Sequence, residues 1–141
     1  MNHTNEHRSL RDHKAVLGLI LGHLPFVAFL APIGFGTSNF AITASVLIAV
    51  LALGGYFLLK GTRGFGVLSA VLLMLISATL IETRMGEIEM HFHIFVALAF
   101  LLIFKDWLPI VAGAGVIAVH HLILTYLQLN SVSIGNTPII L

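Results

Sequence analysis

Five apolar runs set the limits on what this chain can become. They fall at residues 15–33, 40–59, 65–82, 89–104 and 108–128. Each is close to the ~17–25 residues that a helix needs to cross the hydrocarbon of a bilayer, the fourth being the shortest. The breaks between them, GFGTSN, KGTRG, RMGE and KDWLP, are short and turn-like, so neighbouring helices run antiparallel. Hydrophobic residues make up 58% of the 141, and charged ones only 9%, where a soluble domain carries about a quarter. The fold class that follows is all-α: a polytopic transmembrane helix bundle of five spans with short loops.

The opening MNHTNEHRSLRDHK is polar and basic. The apolar run after it is too long for a signal-peptide core and lacks a small-residue cleavage site, so the first helix is expected to be retained. Residues 1–14 are then a cytoplasmic tail, 15–128 the transmembrane bundle, and 129–141 an external tail. That tail ends on PIIL as though another span were beginning, which suggests a six-span domain lacking its last helix.

Orientation comes from the basic residues. Arg8, Arg11, Lys14, Lys60, Arg63 and Lys105 all fall in segments that share one side, and only Arg84 is opposite. The expected topology therefore has a cytoplasmic N-terminus and an external turn at 82–88. A net charge of +1 argues against nucleic acid as partner, and the absence of cysteine excludes disulfides, thiolate metal sites and covalent haem attachment through C-x-x-C-H.

The fourth run carries the chemistry. GEIEMHFHIFVALAFLLIF opens with Glu87, Glu89, His91 and His93. At 1.5 Å of rise per residue, His23 lies about 13 Å above the cytoplasmic helix ends, His120 and His121 about 16–18 Å, and His93 and His91 about 16 and 20 Å. Five histidines from three helices thus converge on one layer in the middle and outer half of the membrane. Burying each ring without a partner is costly. A lone histidine such as His23, two residues before Pro25, often only satisfies a carbonyl freed by the proline; five at one depth are harder to explain that way.

Helical angles refine the pattern. His91 and His93 differ by about 200° and cannot easily share one ion, and His120 and His121 differ by about 100°. Each histidine of the fourth span is expected to pair with a different partner on the fifth, making two neighbouring sites rather than one tetrahedral site. Glu89, four residues before His93, is placed to orient that ring or join as a ligand. Met85 and Met90 flank the cluster and would suit a soft metal, although packing is their commoner role. Asp106 and Trp107 read as an interfacial stop, and His3, His7 and His13 as tail residues without a role.

The stretches G-E-I-E-M-H-F-H-I-F, F-K-D-W-L-P and A-V-H-H-L, over roughly 84–128, resemble a histidine-rich multi-helix N-terminal membrane sensor region of bacterial signalling proteins, namely chemoreceptors, sensor histidine kinases and diguanylate cyclases. The matching positions are Gly86, Ile88, Glu89, His91, Phe92, His93, Phe95, Asp106, Trp107, Pro109, His120 and His121. His23 and the first two helices lie outside the match. The resemblance implies an even number of spans, a cytoplasmic output module, a place in the bacterial inner (cytoplasmic) membrane and a homodimer.

The expected function is sensory rather than enzymatic. His91, His93, His120, His121 and His23, with Glu89, would hold a cofactor whose redox or ligand state is reported to the output module. Haem b suits neutral imidazoles facing one another across an apolar groove. Copper or zinc is the alternative, since imidazole suits both and nearby methionines favour Cu(I). A di-iron membrane enzyme needs more ligands than these. A His/Glu proton relay or transporter needs a chamber that five helices with short loops leave little room for.

Overall fold

The computed structural model describes residues 3–130, 133–134 and 137–138, with side chains from residue 10 to residue 130. Five helices follow in order: α1 His3–Pro25, α2 Ser38–Leu59, α3 Arg63–Thr83, α4 Ile88–Phe100 and α5 Trp107–Leu129. A π-helical turn, Phe26–Leu30, extends α1 past Pro25, and a 3-10 turn, Leu101–Phe104, extends α4. Beyond α5, β1 (Ser133–Ile134) and β2 (Thr137–Pro138) pair antiparallel. Ile139, Ile140 and Leu141, which carry most of the expected sixth apolar start, lie outside the described residues. Four helices are long and apolar enough to cross a membrane, and the segment Ile88–Phe104 is a shorter apolar helix.

The helices match the five apolar runs closely, except that α1 begins well inside the polar opening. The second difference is in the centre of the bundle. α3 has 72% of its apolar window buried, against 33% for α1, 17% for α2 and 11% for α5. It packs against all four other helices, while α4 and α5 touch each other little. The expected packing of the fourth span against the fifth is therefore replaced by packing of both around the third. Hydropathy does not reveal this, because α2, α3 and α5 are all strongly apolar and apolar character alone does not mark an inside in a bundle.

Small residues explain why α3 takes that place. A Cβ at Gly66 would stand 3.0 Å from Cγ of Pro109, and one at Gly113 would stand 3.3 Å from Cδ1 of Leu101, so both glycines permit close helix approach. Three hydroxyls buried in α3 satisfy themselves on carbonyls one turn back: Ser69 donates to Phe65 (2.8 Å), Ser77 to Leu73 (3.1 Å) and Thr79 to Leu75 (2.8 Å).

Side chains tie each end. At one, the Arg63 guanidinium forks onto Asp106, Nε to Oδ2 at 2.6 Å and Nη2 to Oδ1 at 2.7 Å. Asp106 also caps α5 by accepting from Leu108 N–H at 3.1 Å. The same end holds His13, given no role from the sequence. It is buried, accepts the Gly61 N–H at 3.0 Å through Nδ1, and packs on Phe65 and Phe104 with ring centres 4.9 and 5.5 Å away. At the other end Thr37 donates to the Thr83 carbonyl (2.9 Å), and Arg84 lies 4.3 Å from the centre of the Phe35 ring while bonding Glu87. α3 closes there through Gly86 N–H to Ile81 O at 2.8 Å, with Met85 and Gly86 both left-handed.

Candidate cofactor site

The five histidines singled out from the sequence fall into two groups strung along α4. In the inner one, His23 of α1 and His93 of α4 have ring centres 5.2 Å apart at 74°. In the outer one, His91 of α4 and His121 of α5 are 5.8 Å apart at 58°, and His121 is also 5.8 Å from His120. All five rings are partly buried. Two separate groups agree with the helical angles, but the partners differ from expectation. His91 meets α5 as expected, whereas His93 turns to α1. The 200° between neighbouring alternate positions on α4 sends the two rings to opposite flanks of the helix, and α1 rather than α5 occupies the second flank.

The ring nitrogens are already sorted. His23 Nδ1 donates to Leu19 O at 2.7 Å, His91 Nδ1 to Glu87 O at 3.2 Å, and His121 Nδ1 to Ile117 O at 2.9 Å. A carbonyl only accepts, so in these three rings Nδ1 carries a proton, and when the ring is neutral its lone pair lies on Nε2. That is the state of a neutral imidazole prepared to bind a metal, its other nitrogen held by a protein acceptor. The bond from His23 also bears on the proline explanation. Pro25 frees the carbonyl of Leu21, not that of Leu19, so this ring does not compensate for the proline.

His93 is held differently. Its Nδ1 lies 2.8 Å from Oγ of Ser77 on α3, a residue that sequence reasoning missed. Nε2 of His93 and Nε2 of His120 are buried and without hydrogen-bond partners. Phe100 stands edge-on to His23 at 6.3 Å, beside the inner group. The signal for Ser77 was present in the sequence as a hydroxyl within an apolar run, but nothing in a single chain says which helix it faces.

Glu89 departs from its expected part. It is exposed, and among the described residues it hydrogen-bonds to none of the five rings. Backbone carbonyls and Ser77 orient the histidines instead. Met90 packs against the apolar core, and Met85 sits in the left-handed turn after α3. Among the described residues no three His, Asp or Glu side chains converge tightly enough to form a complete metal cage by themselves.

No family model matches the chain, and no solved structure matches it. It is 30% identical over 125 residues to "Transducer protein Htr8" of Halobacterium salinarum, an alignment covering 79% of this chain and 19% of that protein. The chain therefore spans about a fifth of the length of that relative.

Proposed function

We propose that this chain is the membrane-embedded sensory segment of a signalling protein, and that its paired histidines hold a cofactor whose redox or ligand state is passed to a cytoplasmic output module. The single observation that carries the reading is the pairing itself. Histidines from α1 and α4, and from α4 and α5, meet across helix boundaries. In three of the four rings Nδ1 is spent on a carbonyl, which leaves Nε2 for a ligand. The similarity to a transducer protein supports the signalling half. Four helices of spanning length support the membrane half, with the short Ile88–Phe104 segment as a fifth crossing. The Arg63–Asp106 and His13–Gly61 contacts gather the α1 start, the α2–α3 turn and the α4–α5 turn at one end, where Arg11, Lys14, Lys60, Arg63 and Lys105 lie. That concentration of positive charge supports a cytoplasmic N-terminus. In the intact protein the segment acts as a homodimer and is not itself an enzyme.

Haem b is the cofactor we favour on chemical grounds: neutral imidazoles from facing helices in apolar surroundings are its usual axial ligands. A bare copper or zinc ion is the second reading, and one observation favours it. Imidazole nitrogens bind such an ion at ~2.0–2.1 Å, which puts the centres of two rings sharing it about 5–6 Å apart. Both cross-helix pairs have that spacing, 5.2 and 5.8 Å. A porphyrin between His23 and His93 has in addition to find room beside Phe100. The absorption spectrum of protein purified from membranes separates the two: a Soret band identifies haem, and copper or zinc by elemental analysis without that band identifies the ion. Protein carrying none of these overturns the cofactor reading.

A further inference from the structure

Of the rings in the two cross-helix pairs, His93 alone is oriented by a side chain from another helix. His23, His91 and His121 are each held by the carbonyl four residues back on their own helix, so their orientation travels with that helix. The corresponding carbonyl for His93 belongs to Glu89, yet Nδ1 turns to Ser77 on α3. Ser77 is fully buried. A hydroxyl has one proton to give, and Ser77 gives it to Leu73 O at 3.1 Å. Its oxygen then faces His93 as an acceptor, which requires the proton of that ring to be on Nδ1. Nε2 is left bare, buried and unpartnered beside the His23 ring.

We propose that Ser77 is the positioning residue of the inner site, fixing His93 as the Nδ1–H tautomer so that Nε2 is the atom offered to the cofactor. The inference rests on the cofactor reading above and adds a third helix to the site. It also makes the central helix a sensor of the inner pair. A shift of α3 against α4 breaks the Ser77–His93 bond, and a change in the electron demand on His93 is felt by α3 through the same bond.

The test uses the full-length protein with ¹⁵N-labelled histidine, as wild type, Ser77→Ala, Ser77→Thr and His91→Ala. Ring-nitrogen shifts report the tautomer of His93, and titrations with copper sulfate and with haemin report binding. We expect the Nδ1–H form in wild type, Ser77→Thr and His91→Ala. Ser77→Ala is expected to give mixed tautomers and to bind whichever probe the wild type takes about 10–100-fold more weakly. Threonine retains the hydroxyl, so its rescue separates positioning from packing. An Nε2–H tautomer in the wild type, or a Ser77→Ala protein with unchanged tautomer and affinity, overturns the proposal. If the wild type binds neither probe, the cofactor reading fails while the tautomer comparison still decides the role of Ser77.

Discussion

His23 and His93 stand 5.2 Å apart, ring centre to ring centre, on two helices that run in opposite directions. The chain contains no cysteine, which makes this pairing directly testable. Paired substitution His23→Cys and His93→Cys should give a protein that a short thiol-reactive cross-linker closes within one chain. His93→Cys paired with His121→Cys should close much more slowly, because His93 turns toward α1. Equal rates, or the reverse order, would show α4 rotated relative to the arrangement described here.

The close approach of α3 and α5 predicts unequal glycines. A Cβ at Gly66 would stand 3.0 Å from Pro109 Cγ on α5, and one at Gly113 would stand 3.6 Å from Ala70 Cβ on α3 and 3.3 Å from Leu101 Cδ1 beyond α4, whereas a Cβ at Gly115 meets nothing within 4 Å. Gly66→Val and Gly113→Leu should each destabilise the bundle by roughly 1–3 kcal/mol through overpacking. Gly115→Ala should be neutral or slightly stabilising, as alanine is the better helix former. Thermal unfolding in one detergent compares the three.

His13 binds the polar opening to the bundle. Removing its ring leaves the Gly61 N–H without its acceptor and uncovers Phe65 and Phe104. His13→Ala should lower stability by roughly 0.5–1.5 kcal/mol, the usual net worth of a hydrogen bond whose donor, on exposed Gly61, water can reach once the ring is gone, with no change in cofactor content. Loss of cofactor at unchanged stability would instead place His13 in the site.

The Arg63–Asp106 contact predicts a dependence on pH. The Arg63 guanidinium, hydrogen-bonded to Asp106, and the Leu108 N–H hold this carboxyl below the ordinary carboxylate range. A carboxyl whose pKa is depressed on folding contributes stability that is fully present above its unfolded value, near ~3.9, and is lost as pH falls through the folded one. Wild-type protein should therefore lose an increment of melting temperature below about pH 4 that Asp106→Asn does not show. Since Asp106 also caps α5, Asp106→Ala should melt lower than Arg63→Ala at neutral pH. Identical melting of these two variants would mean that the cap contributes nothing.

Much of this arrangement was legible in the sequence. The five apolar runs became five helices, the turn segments fell where glycine, proline and Asp106 put them, and the depth estimate brought His23, His91, His93 and His121 to neighbouring levels. Which helix faces which was not legible. In a chain this apolar, the inward face of α2 or α5 is no more hydrophobic than the outward one, so periodicity does not report it. The displacement of His93 from α5 to α1, and its bond to Ser77, follow from that undetermined rotation. His13 escaped for another reason: α1 starts ahead of its apolar run, so a residue of the polar opening lies on a helix that packs against α3. Glu89 was credited because it shares a helical face with His93, but spacing gives proximity along a helix and not the direction in which a side chain is drawn.

Whether the histidine pairs hold a cofactor is decided by the cofactor content of the purified full-length protein. Haem, copper and zinc per chain should be measured side by side for wild type, His93→Ala and His121→Ala. The wild type should carry a bound group, each single variant should lose part of it because the two pairs are separate, and the bundles should remain inserted and folded. A wild type free of all three, in which either substitution nevertheless unfolds the protein, would mean that the pairs hold no cofactor and would leave the histidines as hydrogen-bonding contacts between helices.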